Sequence, residues 1–148
     1  MKFRFIWPGK TKDEHLRALV QEYLKRLQRF VRCELIEIRE VPGSVEKESA
    51  RLVEALSGSN LTILLAVDGR EWSSHELAAE VRRWENDSVK EISVVIGGPN
   101  GVSADIADRA QVQWRLSRLT LTHEMARVLV LEQLYRAYTI NRGIPYQK

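Results

Sequence analysis

Two nearly continuous apolar runs, residues 61–67 (LTILLAV) and 92–96 (ISVVI), constrain this chain most strongly. Both have the length of a strand, and neither alternates with charged residues. A strand with one wet face alternates, whereas a strand covered on both faces does not. The two runs therefore predict strands inside a parallel sheet with helices on both faces. The flanking sequence supplies those helices. Residues 13–30 carry Leu16, Leu19, Val20, Tyr23, Leu24 and Leu27 at helical spacing. Ser44 can cap a helix to about residue 56, with Leu52, Val53 and Leu56 facing inward. Ser73 with Glu76 has the spacing of a capping box, for a helix to about residue 84. Ser103 opens a short helix to about residue 110. A last helix over 124–140 packs through Met125, Val128, Leu129, Leu131, Tyr135 and Tyr138. Residues 2–7, 33–39 and 113–117 read as further strands, and Asp68-Gly69 reads as a turn. Strands alternating with helices predict an α/β fold built on a parallel sheet.

The 148 residues suit a single domain, 1–148, with no linker or repeat to divide it. No apolar run approaches the roughly 20 residues of a membrane span, so no membrane partner is expected. The first residues alternate like a strand and do not form a signal peptide. Cys33 is the only cysteine, so an internal disulfide and a thiolate metal cluster are both excluded. A cytoplasmic location follows as the expectation, with Cys33 an inert strand residue. The net charge is only +3, but it is unevenly spread. Residues 1–32 hold nine Lys/Arg against three Asp/Glu, residues 33–100 hold seven against thirteen, and residues 101–148 hold seven against four. Basic ends brought together would make a cationic face suited to phosphates; held apart they are solvated helix faces.

Three segments could carry chemistry. Gly97-Gly98-Pro99-Asn100-Gly101 follows a buried strand directly. Its glycines allow close approach of a ligand to the backbone, and they equally suit a tight strand-to-helix turn. The spacing matches neither a dinucleotide fingerprint nor a P-loop. Next, Leu116-Ser117-Arg118-Leu119-Thr120-Leu121 is neither clean strand nor clean helix, yet apolar enough to be buried. Buried irregular backbone needs partners, and the edge of an adenine ring offers donors and acceptors. Third, His123 begins the last helix, as a cap, a surface residue or a catalyst. From that helix Arg127 and Arg136 could reach phosphates or be solvated, and Tyr146 could stack on a base. Trp7, Trp72, Trp84 and Trp114 suit the core. His15 and His75 lie among polar residues and support no metal site.

Taken in order, Ile96-Gly97-Gly98-Pro99-Asn100-Gly101, the stretch from Leu116 to His123, Arg127-Val128-Leu129 and Leu134-Tyr135-Arg136-Ala137 resemble the RlmH (YbeA) family. These are SPOUT-class methyltransferases of large-subunit ribosomal RNA. Glu22-Tyr23, Glu34-Leu35-Ile36-Glu37-Ile38, Gly69-Arg70-Glu71-Trp72 and Pro145-Tyr146 extend the resemblance over nearly the whole chain. It implies an α/β fold whose C-terminal part forms a deep trefoil knot, a feature general folding rules treat as exceptional. It also implies a homodimer paired through the knotted region. The implied cofactor is S-adenosyl-L-methionine, with no metal, held by Leu65, Gly97 and the residues Leu116, Ser117, Arg118, Leu119, Thr120 and Leu121. Gly98 and Gly101 are implied as walls, and Arg118 as a backbone contact. The implied substrate is N3 of a pseudouridine in helix 69 of 23S ribosomal RNA, on the assembled ribosome. Family position and residue chemistry assign catalysis to His123, Arg136 and Tyr146. His123 would take the N3 proton or orient the base, Arg136 would stabilise charge, and Tyr146 would come from the partner subunit. Two other readings compete with this one, a transfer-RNA methyltransferase of the same fold and a non-enzymatic ribosome-binding factor.

Overall fold

The structure is a computed structural model and describes residues 1–146. Among them, five parallel strands form one sheet in the order β2-β1-β4-β3-β5. They are β1 (Lys2–Pro8), β2 (Arg32–Ile38), β3 (Leu61–Arg70), β4 (Glu91–Val95) and β5 (Val112–Trp114). The helices are α1 (Glu14–Leu27), α2 (Val45–Ala55), α3 (Ser74–Asn86), α4 (Ala104–Arg109) and α5 (His123–Arg142). This is the α/β architecture expected from the apolar runs.

Alternation along the central strands builds two apolar layers. Phe3, Phe5 and Trp7 of β1 share one face with Ile63 of β3 and with Ile92 and Val94 of β4, under α1, α3 and α5. Ile6, Leu64 and Val95 point the other way, against Leu52 of α2 and Ile106 of α4. Side chains at both phases of β4 and of the second half of β1 are therefore dry, which is why residues 92–96 lack polar alternation. At the start of β1, Lys2 and Arg4 alternate with Phe3 and Phe5. α5 is the axis of the larger layer, since both α1 and α3 pack on it. Ala126, Val130, Leu134, Ala137 and Tyr138 supply much of its buried surface. Met125, expected to pack, is instead 40% exposed.

Helix ends follow their local signals. The Ser44 hydroxyl accepts from the Lys47 N–H, and Ser73 and Glu76 form a reciprocal capping box, each cap worth about 1 kcal/mol. Ser103 makes no side-chain cap; its N–H donates to the Ser49 hydroxyl at 2.9 Å and ties α4 to α2. α5 begins at Thr122, whose hydroxyl accepts from the Met125 N–H. It ends at Gly143, which takes φ +65 so that the Ile144 N–H can reach the Thr139 carbonyl.

β3 departs from expectation. Asp68-Gly69 does not turn the chain, because the strand runs on to Arg70. Trp114 of β5 pairs with both Leu65 and Arg70, so residues 66–69 bulge between the two pairings. A Cβ on Gly69 would stand 2.5 Å from the Gln113 carbonyl oxygen. The glycine is needed for close approach of two backbones, and a turn and such an approach look alike in sequence. β5 is also shorter than expected, and residues 115–122 run on without regular structure. The tryptophans are core residues as expected: Trp72 packs on Trp84 and Trp114 with ring centroids 6.1 and 5.6 Å away. Burial raises the Cys33 thiol to about 12, which leaves little thiolate for reaction.

Candidate active site

A cavity of about 610 Å3 opens beyond the carboxyl ends of β3 and β4, where parallel sheets place ligands. Of the residues singled out in sequence, Leu65, Gly97, Gly98, Gly101, Leu116, Ser117, Leu119, Thr120, Leu121 and His123 line it. The glycine loop forms one wall. Gly101 takes φ +79, and its N–H closes a turn onto the Gly98 carbonyl at 3.0 Å. Gly97 has no room for a side chain, since a Cβ there would stand 2.9 Å from Val102 Cγ1. The opposite wall is the irregular segment 115–122. From 116 to 121, among the described residues, the one backbone hydrogen bond runs from the Leu119 N–H to the Ser117 hydroxyl. Its other amides and carbonyls are thus available to a ligand. Arg118 is exposed and does not line the cavity.

Sequence reasoning missed Ala66 and Val67 in the β3 bulge, and Ala126 in the first turn of α5. Ala126 lies three residues after His123 and so shares its helix face. That spacing was the signal available for it.

His123 sits on the cavity rim with 27% of its side chain exposed, 4.0 Å from a Glu124 carboxylate oxygen. Its pKa lies below the ordinary 6.5, first because burial penalises the imidazolium, then because Arg127 is nearby; Glu124 opposes the shift. Glu124 accepts the Lys12 and Asp13 N–H groups at 2.9 and 3.0 Å. Burial alone would raise this carboxyl, but those two bonds and Arg127 bring it below its usual value.

Arg127 neither reaches phosphates nor faces solvent. It is fully buried, donating to the Pro8 carbonyl (2.7 Å), the Gly9 carbonyl (3.2 Å) and the Thr11 hydroxyl (3.0 Å). Its guanidinium lies 4.8 Å from the Trp7 ring centroid. Together Glu124 and Arg127 clasp the loop after β1 to the start of α5.

Arg136 and Tyr146 lie elsewhere in the protomer. Arg136 is thirteen residues beyond His123, about 20 Å along the helix. It donates to Glu132 through Nε at 3.0 Å, and the Tyr146 hydroxyl donates to the same carboxylate at 3.0 Å. Arg136 also lies 4.8 Å from the Tyr146 ring centroid. Burial first, then the Tyr23 hydroxyl and the Glu132 charge, raise the Tyr146 phenol. One protomer thus presents two clusters, His123 at the cavity and Arg136 with Tyr146 far along α5.

The family described as "Predicted SPOUT methyltransferase" matches residues 1–147, and the chain belongs to that family. A ribosomal RNA large subunit methyltransferase H from Desulfotalea psychrophila is 38% identical over 156 residues, across 100% of both chains. The solved structure of a protein from Haemophilus influenzae, described as of a methylase family, shares the fold at TM-score 0.63. It is 16% identical and covers 99% of this chain and 70% of its own. A protein from Legionella pneumophila, described as a methyltransferase and solved with SAM bound, has TM-score 0.50. It is 15% identical and covers 93% of this chain and 66% of its own.

Proposed function

We propose that this chain transfers a methyl group from S-adenosylmethionine to N3 of a pseudouridine in helix 69 of 23S ribosomal RNA. In this reading it acts as a cytoplasmic homodimer on assembled ribosomes. The observation that carries the proposal is the cavity itself, with apolar side chains for a ring's faces and unpaired backbone groups for its edge. The residues present fit an adenosine moiety on those grounds. The full-length relative named for large-subunit RNA supports the substrate class, and the resemblance of the motifs supports the nucleotide.

Bound there, S-adenosylmethionine supplies a methyl group made electrophilic by its sulfonium. Backbone of Leu116, Ser117, Arg118, Leu119, Thr120 and Leu121 would hold the adenine edge, with Leu65 against the ring. Gly97, Gly98 and Gly101 would let the ligand approach the main chain. His123, whose pKa burial and then Arg127 lower, would accept the N3 proton of the target base or orient the base. Arg136 and Tyr146 of a second copy would face the base, because their distance from His123 in one protomer calls for a partner. The trefoil knot belongs to the same reading and would hold the two walls together. Most of the rate comes from positioning the base in line with the methyl group.

Calorimetry with S-adenosylhomocysteine tests the cofactor; an absence of binding overturns the enzyme reading. Methyl transfer to joined ribosomes, free large subunits and transfer RNA tests the substrate. Joined ribosomes should be methylated best, and transfer to transfer RNA alone would overturn that half. Gly97→Ala should weaken S-adenosylhomocysteine about tenfold, a cost of about 1.4 kcal/mol. The new methyl meets Val102 and the Gly101 backbone, so the loop must shift. Unchanged affinity in that variant would remove the loop from the cofactor site.

A further inference from the structure

A second cleft, of about 500 Å3, lies beyond the carboxyl ends of β1 and β2, with Lys10, Lys12, Glu37, Arg39 and Glu40 on its walls. It adjoins the cofactor cavity at two places. Pro8, at the end of β1, is 3.7 Å from where a Cβ on Gly98 would stand. Glu124, beside His123 on α5, holds the backbone of Lys12 and Asp13.

The charges of the cleft are unequally engaged. Among the described residues, neither the Lys10 ammonium nor the Arg39 guanidinium has a hydrogen-bond or ion-pair partner. Lys12 makes a loose pair with Glu40 at 3.5 Å, with 73% of its side chain exposed, so exchanging that partner costs little. Glu37 accepts the Trp7 indole N–H at 3.2 Å. The loop carrying both lysines cannot swing away, because the buried Arg127 holds its Pro8 and Gly9 carbonyls and Glu124 holds its end.

We propose that this cleft is a phosphate subsite for the RNA strand whose target base enters the neighbouring cavity. Lys10 and Arg39 take a backbone phosphate of a nucleotide next to the target, and Lys12 joins them on leaving Glu40. Arg39 suits this role because its planar fork matches two phosphate oxygens. The two carboxylates keep the cleft only weakly cationic, so it accepts one phosphate without capturing any polyanion. Such a contact sets the register of the strand and leaves the choice of base to the cavity. This inference rests on the proposed RNA substrate.

The test is the double variant Lys10→Gln/Arg39→Gln, assayed for methyl transfer to joined ribosomes over a salt series. A calorimetric titration with S-adenosylhomocysteine runs beside it. The KM for ribosomes should rise about 5–20-fold at moderate salt with kcat nearly unchanged. The slope of log affinity against log salt should shrink by about 0.7–0.9 for the lost phosphate contact. S-adenosylhomocysteine affinity should stay as in the parent protein, which also shows that the fold is intact. An unchanged KM and slope overturns the subsite. So does weakened S-adenosylhomocysteine binding, which would assign the cations to the cofactor. If the unsubstituted protein methylates no RNA, the functional reading fails first, and the double variant is not needed to see it.

Discussion

Arg127→Met is expected to destabilise the fold by about 3 kcal/mol. The guanidinium is fully buried and serves three acceptors on the loop after β1. Methionine fills much of the volume but leaves those acceptors dry, at about 1–3 kcal/mol for each group left unsatisfied. Part of the loss is offset, because burying the cation is itself costly, as its lowered pKa shows. The contact over Trp7 at 4.8 Å is lost as well. Arg127→Lys should fall between the two, since an ammonium cannot serve three acceptors in a fork. Urea unfolding is the measurement: the midpoint should drop with the slope unchanged. A loss under about 1 kcal/mol would show that water satisfies the loop carbonyls and that the clasp is not structural.

His123→Ala should slow methyl transfer by about 10²–10⁴-fold while leaving S-adenosylhomocysteine bound, the range for loss of a general base. The pH dependence gives a sharper test. Burial and then Arg127 lower the imidazole pKa below 6.5 in the folded protein. Neutral imidazole therefore persists as pH falls through 6.5, and the acid limb of the rate profile should lie below that value. Stability carries the same signature. Between the lowered folded pKa and 6.5 the unfolded chain binds more protons than the folded one. Stability therefore rises with pH across that window and levels off above it. His123→Ala should remove this rise. Arg127→Met should move the His123 midpoint back toward 6.5, because a nearby positive charge is gone. An NMR titration of the His123 ring giving a midpoint at or above 6.5 in the unsubstituted protein would refute the argument.

Much of the fold was legible because its signals are local. The unalternating strands, the Ser44 cap and the Ser73–Glu76 capping box each act within a few residues. Both cavity walls were legible only in part. The glycines after a buried strand leave a ligand loop and a tight turn equally open. The aperiodic apolar stretch 116–121 reads as buried, whereas it lines an open cavity with Arg118, Leu119 and Thr120 exposed, Leu119 by 76%. The errors fell where one local signal serves two structures. Asp68-Gly69 reads as a turn, yet it serves a bulge set by β5, more than forty residues away. Met125 fits the apolar stripe of α5, yet 40% of it is exposed.

By itself, then, the sequence determined the parallel sheet and its helical layers, and it singled out the two segments that wall the cavity. Periodicity and continuity of apolar residues state which faces must be dry. Only the tertiary structure decided what the charged groups do. Arg127, a candidate for phosphate, is spent on the Pro8 carbonyl 119 residues away. Arg136 is held by Glu132, one turn back on the same helix. Lys10 and Arg39, unremarkable in sequence, are left without partners beside the cavity. A charge acts through whatever packing brings within a few ångströms of it, and that neighbour is chosen by the whole chain.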